Sequence, residues 1–207
     1  MSQRLVLLHG WGADADDLRP LGDALMQLHH APLEVVSLQA PEPHPQGSGR
    51  QWYGLFPAAW EAVPQAVADL RERLVKLSGG EEALTKTVLF GFSQGGAMAL
   101  HCGCDLPLAG VMSCSGYPHP DWQPVSNHPP VLLAHGTEDT IVPVAAMEAI
   151  WSRLQTDRCE KLAFNQGHTI PSELMGTFQR TLSRMLPAEI CLRLESGWNV
   201  SDWAVVR

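Results

Sequence analysis

The feature that most constrains this chain is an apolar run that ends in a glycine-flanked serine. It reads Val88-Leu89-Phe90-Gly91-Phe92-Ser93-Gln94-Gly95-Gly96 and continues into the small helix formers Ala97-Met98-Ala99-Leu100. The run predicts a buried strand, a sharp turn and a helix, with Ser93 held at the turn in a strained backbone conformation. Gly91 and Gly95 flank that turn, where a Cβ would collide with the neighbouring strand or helix, and Gly96 adds clearance. A helix that opens at Gln94 points the Gln94 amide at any charge developing near Ser93. An ordinary glycine turn shares the G-x-S-x-G letters; the strand before and the helix after favour the sharper reading.

Around this unit the chain alternates regularly. Arg4-Leu5-Val6-Leu7-Leu8-His9 and Leu33-Glu34-Val35-Val36-Ser37-Leu38 read as strands, the first continuously apolar as in a strand buried on both faces. Asp14 to Leu28 reads as a helix with Leu18, Leu21, Leu25 and Leu28 at helical spacing and Pro20 near its start. Ala58 to Leu77 reads as a second helix stopped by Gly79-Gly80. After the Ser93 helix come strands at Leu108 to Cys114, Val131 to Ala134 and Lys161 to Phe164, with helices over Val144 to Leu154 and Ser172 to Leu186. Six strands alternating with helices predict a doubly wound, mostly parallel sheet with helices on both faces, in one domain over residues 1–186. If the first strand lies between the second and third, ligand binds above the carboxyl ends at that switch point, where Ser93 emerges. Residues 187–207 form an extension without an assigned role; Glu189 to Glu195 has the look of an extra strand, with Trp198 and Trp203 as surface packing.

Composition excludes several function classes. At 207 residues with 45% hydrophobic and 17% charged residues, the chain is an ordinary globular domain and not a disordered one. A formal net charge of −8 and no Lys/Arg run argue against a nucleic-acid partner and against an electrostatic membrane anchor. No apolar run reaches membrane-spanning length and no basic leader precedes the first strand, so the expected location is the cytoplasm. Five cysteines (Cys102, Cys104, Cys114, Cys159 and Cys191) fit buried free thiols in a reducing compartment. Cys102-Gly103-Cys104 lacks the spacing and the second ligand pair of a metal site.

A serine hydroxyl attacks only when a base takes its proton, and the base is a histidine held in one tautomer by a carboxylate. His135-Gly136-Thr137-Glu138-Asp139-Thr140-Ile141-Val142-Pro143 begins where the fifth strand ends, and Asn165-Gln166-Gly167-His168 begins where the sixth ends. Asp139 is preferred to Glu138, because Val142-Pro143 must dock back and turns the preceding loop inward. His168 is the candidate base, its strand-end position favouring that over a surface histidine in a glycine loop; His9, His44, His101, His119, His128 and His135 are weaker, and His135 is placed to support the Asp139 loop. An oxyanion needs two backbone donors. The Gln94 amide is one, and the Trp11 amide in the bare-backboned loop His9-Gly10-Trp11-Gly12 is the other. Trp52, Tyr53 and Phe56 in the long loop Ala40 to Pro57, with Trp122 facing them, are expected to edge the substrate. Gly116 to Pro130, with five prolines and no helical period, is too short for a lid.

Together Leu8-His9-Gly10-Trp11-Gly12-Ala13-Asp14, Gly91-Phe92-Ser93-Gln94-Gly95-Gly96, His135 through Pro143 and Gly167-His168 resemble the phospholipase/carboxylesterase family of α/β-hydrolases, which includes acyl-protein thioesterases. The resemblance runs over about residues 4–186 in order and spacing. It implies an α/β-hydrolase fold with no cap domain and a cofactor-free serine esterase or thioesterase. Its triad falls on Ser93, Asp139 and His168, and its oxyanion donors on Trp11 and Gln94. Two departures touch substrate preference: Trp52-Tyr53 is followed by Gly54 where the family often has Asp, and Trp11 stands where Leu is more usual. The expectation is a hydrolase of short-to-medium acyl esters, with thioesters as a second class, acting as a monomer or homodimer on a small-molecule ester. A non-catalytic binding module of the same fold, or a lactonase, amidase or acyltransferase on the same triad, are the rival readings.

Overall fold

The computed structural model describes residues 2–188, so Cys191, the Glu189 to Glu195 segment, Trp198 and Trp203 lie outside the described residues. The strands are β1 (Gln3–Leu8), β2 (Leu33–Leu38), β3 (Glu42–Pro43), β4 (Arg50–Gln51), β5 (Thr87–Phe92), β6 (Gly110–Cys114), β7 (Val131–Gly136) and β8 (Glu160–Phe164). The helices are α1 (Arg19–Leu28), α2 (Val63–Ser78), α3 (Gln94–Gly103), α4 (Ala145–Trp151) and α5 (Met175–Met185). β3 and β4 pair only with each other. The remaining six strands form one sheet in the order β2-β1-β5-β6-β7-β8, and every pairing is parallel. β1 therefore lies between β2 and β5, and the switch point falls beside the strand that leads into Ser93.

Alternation along the strands builds two cores. Val6, Leu8, Leu89, Val111, Val131 and Leu133 face α2, α3 and α4, where Val63, Leu70, Leu74, Met98, Met147 and Ile150 meet them. Leu5, Leu7, Val88, Phe90, Met112, Leu132 and Ala134 face α1 and α5, where Leu21, Leu25, Phe178 and Leu182 pack. Strands covered by helices on both faces must be apolar in both registers, which is why β1, β5 and β7 read as continuous hydrophobic runs.

The helix starts differ from the sequence expectation for local reasons. α1 opens at Arg19 and not at Asp14, with Pro20 in its first turn. The residues before it form turns, in which the Asp14 carboxylate accepts the Asp16 amide at 3.0 Å and the Asp14 carbonyl accepts the Asp17 amide at 3.2 Å. Aspartate side chains that bond nearby amides compete with helix in this way. α2 opens at Val63 after a 3₁₀ turn over Trp60–Ala62, and it ends at Gly79, whose φ of 78° is the left-handed conformation that favours glycine.

Phe178 on α5 is 1% exposed and meets Phe90 of β5 edge-to-face, with ring centroids 5.4 Å apart. The pair couples α5 to the strand that carries Ser93. Truncating it removes both the buried ring and the aromatic contact, so Phe178→Ala should destabilise the domain by about 3–5 kcal/mol. Urea denaturation followed by fluorescence measures this, and a change below about 1 kcal/mol would show that α5 is not part of the cooperative core.

Candidate active site

β5 ends at Phe92, and Ser93 turns the chain with φ 55° and ψ −118° before α3 begins at Gln94. A non-glycine residue held there stores about 1–3 kcal/mol and persists only where its surroundings enforce it. Two hydrogen bonds and two close backbone approaches do so. The Ser93 amide donates to the Cys114 carbonyl at 2.9 Å, and the Ser93 carbonyl accepts the Ala97 amide at 3.0 Å to open α3. A Cβ on Gly95 would lie 2.1 Å from the Leu8 carbonyl oxygen, and one on Gly91 would lie 2.0 Å from that of Gly95. The first turn of α3 is thus pressed against the ends of β1 and β5, and only glycine admits it.

Ser93 Oγ is 2.9 Å from His168 Nε2, and His168 Nδ1 is 2.7 Å from Asp139 Oδ2. Asp139 sits just past β7, 7% exposed, and its Oδ1 accepts the amides of Ile141 and Val142 at 2.9 and 2.8 Å. Burial pushes the Asp139 carboxyl up, but the His168 hydrogen bond and the two amides outweigh that, and the net direction is below the ordinary carboxylate range. With Asp139 ionised, His168 Nδ1 donates to its carboxylate and Nε2 is left as the hydrogen-bond acceptor for the Ser93 hydroxyl. His135 Nε2 donates to the Val142 carbonyl at 2.8 Å and lies 3.5 Å from Asp139 Oδ2, in the loop-supporting position expected of it. Glu138 is exposed, and its amide donates to the Gln166 carbonyl at 3.1 Å, which ties the Asp139 loop to the His168 loop.

On the other side of Ser93, the loop after β1 passes close. A Cβ on Gly10 would be 3.4 Å from Ser93 Cβ. Neither the Trp11 amide nor the Gln94 amide has a protein acceptor among the described residues. His9 is 1% exposed, and burial lowers its pKa. As a neutral ring it donates from Nδ1 to the Gly10 carbonyl at 2.7 Å and accepts the Ala40 amide on Nε2 at 3.1 Å. The Trp11 indole donates to Gln51 Oε1 at 2.9 Å and stacks edge-on against His44 and Phe56.

The aromatic edge expected from sequence is different in the structure. Trp52, Tyr53 and Trp122 are 2%, 0% and 2% exposed and belong to the core facing α2, α3 and α4. They are not placed to meet substrate directly. Of the four, only Phe56 is open, at 73% exposed. A proline- and glycine-rich loop has no periodicity from which inward and outward side chains can be told apart, so the sequence offered no means of separating them. Trp122 shares the core cluster of Trp52 and Tyr53 and presents no open edge; the Gly116 to Pro130 loop is pinned down by buried His119 and His128, and Arg153 donates to the Trp122 carbonyl at 2.8 Å. The roles of His9, of His119 and of the Gln94 side chain were not foreseen, because their partners are backbone atoms or residues distant in sequence. The Ser113 and Ser115 hydroxyls are buried with no hydrogen-bond partner among the described residues, and burial pushes the Cys102 and Cys114 thiols up to about 12. A cavity between His30, Gln179 and Arg184 opens at the opposite, amino-terminal end of the sheet.

No helix among the described residues is long and apolar enough to cross a membrane. The chain matches no curated protein sequence. It is similar to the solved structure of esterase PE8, at 29% identity and a TM-score of 0.80 over 89% of this chain and 93% of that one. It shares its fold with a Bacillus cereus carboxylesterase (20% identity, TM-score 0.73, 89% of each chain) and with Arabidopsis thaliana SOBER1 (20% identity, TM-score 0.71, 90% of this chain and 100% of that one). The sequence profile of the phospholipase/carboxylesterase family matches residues 1–186, the whole of the sheet and its helices; the chain belongs to that family, with an α/β-hydrolase fold, and is an esterase-type hydrolase.

Proposed function

We propose that this esterase works through a Ser93–His168–Asp139 triad, hydrolysing carboxylic esters of short-to-medium acyl chains, with thioesters open to the same chemistry. The observation that carries the reading is the unbroken run of contacts from Ser93 Oγ to His168 at 2.9 Å and from His168 to Asp139 at 2.7 Å. Ser93 Oγ attacks the acyl carbonyl while His168 Nε2 takes its proton. Asp139 holds the ring and stabilises the imidazolium. The unengaged amides of Trp11 and Gln94 receive the oxyanion. His168 returns the proton to the departing alcohol or thiol, and water, activated by the same ring, attacks the acyl-enzyme and releases the acid.

The acyl preference follows from what stands around the serine. Phe56 and Ile141 are exposed, at 73% and 68%, near Trp11 and Asp139 respectively. The Gly116 to Pro130 loop is anchored by buried side chains and is not built to swing. Such an open surface gains about 0.8 kcal/mol for each methylene it covers, and nothing beyond its edge. Small-molecule esters fit this, and localisation in the cytoplasm is part of the same proposal.

Two measurements test the reading. Ser93→Ala should lower kcat on a p-nitrophenyl ester on the order of 10⁴–10⁶-fold, to what the oxyanion donors alone provide. Asp139→Asn should cost on the order of 10⁴ in kcat, while Glu138→Gln stays within about twofold. Full activity in Ser93→Ala, or a crippled Glu138→Gln beside a mild Asp139→Asn, would refute the assignment of roles.

Across a homologous ester series, kcat/KM should rise by at most about fourfold per added carbon and then level off. Rates should vary smoothly through the concentration at which long-chain esters form micelles. A jump in rate at that point would mean that a covering segment opens on lipid surfaces, contrary to the open site described above.

A further inference from the structure

The buried Trp52 and Tyr53 lie between the two elements that carry the oxyanion amides, and they bond to both. On the helix side, the Gln94 side chain grips their backbone: the Trp52 amide donates to Gln94 Oε1 at 3.0 Å, and Gln94 Nε2 donates to the Tyr53 carbonyl at 2.8 Å. On the loop side, the Trp52 indole donates to the His9 carbonyl at 2.9 Å, two residues before Trp11. The indole itself is confined, with the His9 ring centroid 5.6 Å away and the Arg73 guanidinium 5.8 Å from its own centroid.

The far end of the dipeptide is fastened as well. The Tyr53 hydroxyl is 2.7 Å from the Tyr117 hydroxyl and 2.8 Å from His119 Nε2. His119 Nδ1 is 2.8 Å from His101 Nδ1. His101 lies on α3, about two turns beyond Gln94, so the chain of contacts returns to the helix it started from. Burial and the neighbouring His101 push His119 down to about 3, and both rings are neutral at ordinary pH, one donating to the other. Every polar atom along this path that touches Gln94, Trp52 or Tyr53 is matched, in surroundings where an unmatched one is costly.

We propose that Trp52 and Tyr53 are positioning residues that tie the Trp11 and Gln94 amides into one frame, so that the spacing of the two oxyanion donors is set by this clamp. The proposal rests on the oxyanion assignment made above. The donors belong to separate segments, the loop after β1 and the first turn of α3, and a developing oxyanion needs both at once. A rigid link between them preserves that spacing through the turnover, which is where preorganised donors act. The frame also accounts for Gln94 itself. Its amide faces Ser93, while its side chain, 0% exposed, turns back to hold Trp52 and Tyr53.

Two substitutions read the effect. Trp52→Phe removes the indole N–H to His9 and keeps an aromatic ring in the core. Gln94→Met removes both side-chain hydrogen bonds and keeps the backbone amide. In each, kcat should fall about 10-fold with KM within about twofold, and binding of a trifluoromethyl ketone, which forms a tetrahedral adduct, should weaken by the same factor as kcat. The loss is smaller than the ~10²–10³ of removing a donor outright, because the amide is displaced and not deleted. A folded variant with lowered Tm but unchanged kcat and unchanged ketone affinity would show a merely structural role and overturn the proposal. Should either variant fail to fold, Tyr53→Phe keeps the ring and loses only the hydroxyl held by His119 and Tyr117, and a loss of about threefold in both quantities is expected there, with no loss again overturning the proposal. Ser93→Ala measured in parallel separates the two ideas: activity that survives it contradicts the triad, whereas the clamp fails only on the Trp52, Gln94 and Tyr53 results.

Discussion

The close approach of α3 to the end of β1 governs this active site. At Gly95 the helix backbone lies so near the Leu8 and His9 carbonyl oxygens that a single added carbon would sit 2.1 and 2.5 Å from them. That contact forces the abrupt turn at Ser93, and the turn forces the positive φ of 55°. It also leaves the loop after β1 beside the serine, where a Cβ on Gly10 would be 3.4 Å from that of Ser93. A larger residue at Gly95 would push the helix back and move all of these together. The strain at Ser93 is thus a consequence of packing between β1, β5 and α3, and the packing is stabilised by the two cores that cover the sheet.

The opposite side of the site is made differently. Asp139 and His168 stand on loops after β7 and β8, and no helix terminus positions them. Their order comes from backbone hydrogen bonds: Ile141 and Val142 amides to the Asp139 carboxylate, His135 to the Val142 carbonyl, and the Glu138 amide to Gln166. These bonds cross-link the Asp139 loop internally and tie it to the His168 loop. They leave the imidazole part-exposed.

Much of this was legible in the sequence, and the part that was not has a physical cause. Strands β1, β5 and β7 announce themselves by continuous apolar runs, and Gly91, Gly95, Asp139 and His168 fall at or just beyond strand ends, so a parallel sheet and a candidate triad could both be read, while the full strand order could not. His135 was likewise legible as a support for the Asp139 loop. Trp52 and Tyr53 of the Ala40 to Pro57 loop, expected at a substrate edge, are buried, and irregular backbone carries no period from which that could be read. Trp52 and Tyr53 are held inward by Gln94 and His9, which are some forty residues away in the chain. The side-chain bonds of Gln94 go to backbone atoms, which leave no mark on residue identity. Similarly, α1 begins late because Asp14 bonds the Asp16 amide, a competition that the leucine spacing alone conceals.

In the proposed mechanism Ser93 sits between a base and a preformed pair of oxyanion donors. A crystal structure of the protein inactivated with an alkyl fluorophosphonate tests this arrangement. Phosphorus should be found on Ser93 Oγ, with the phosphoryl oxygen about 2.7–3.1 Å from both the Trp11 and Gln94 amide nitrogens. His168 Nε2 should face the oxygen that stands for the leaving group. Phosphorus on Ser113 or Ser115, or a phosphoryl oxygen turned to solvent and away from the two amides, would contradict it.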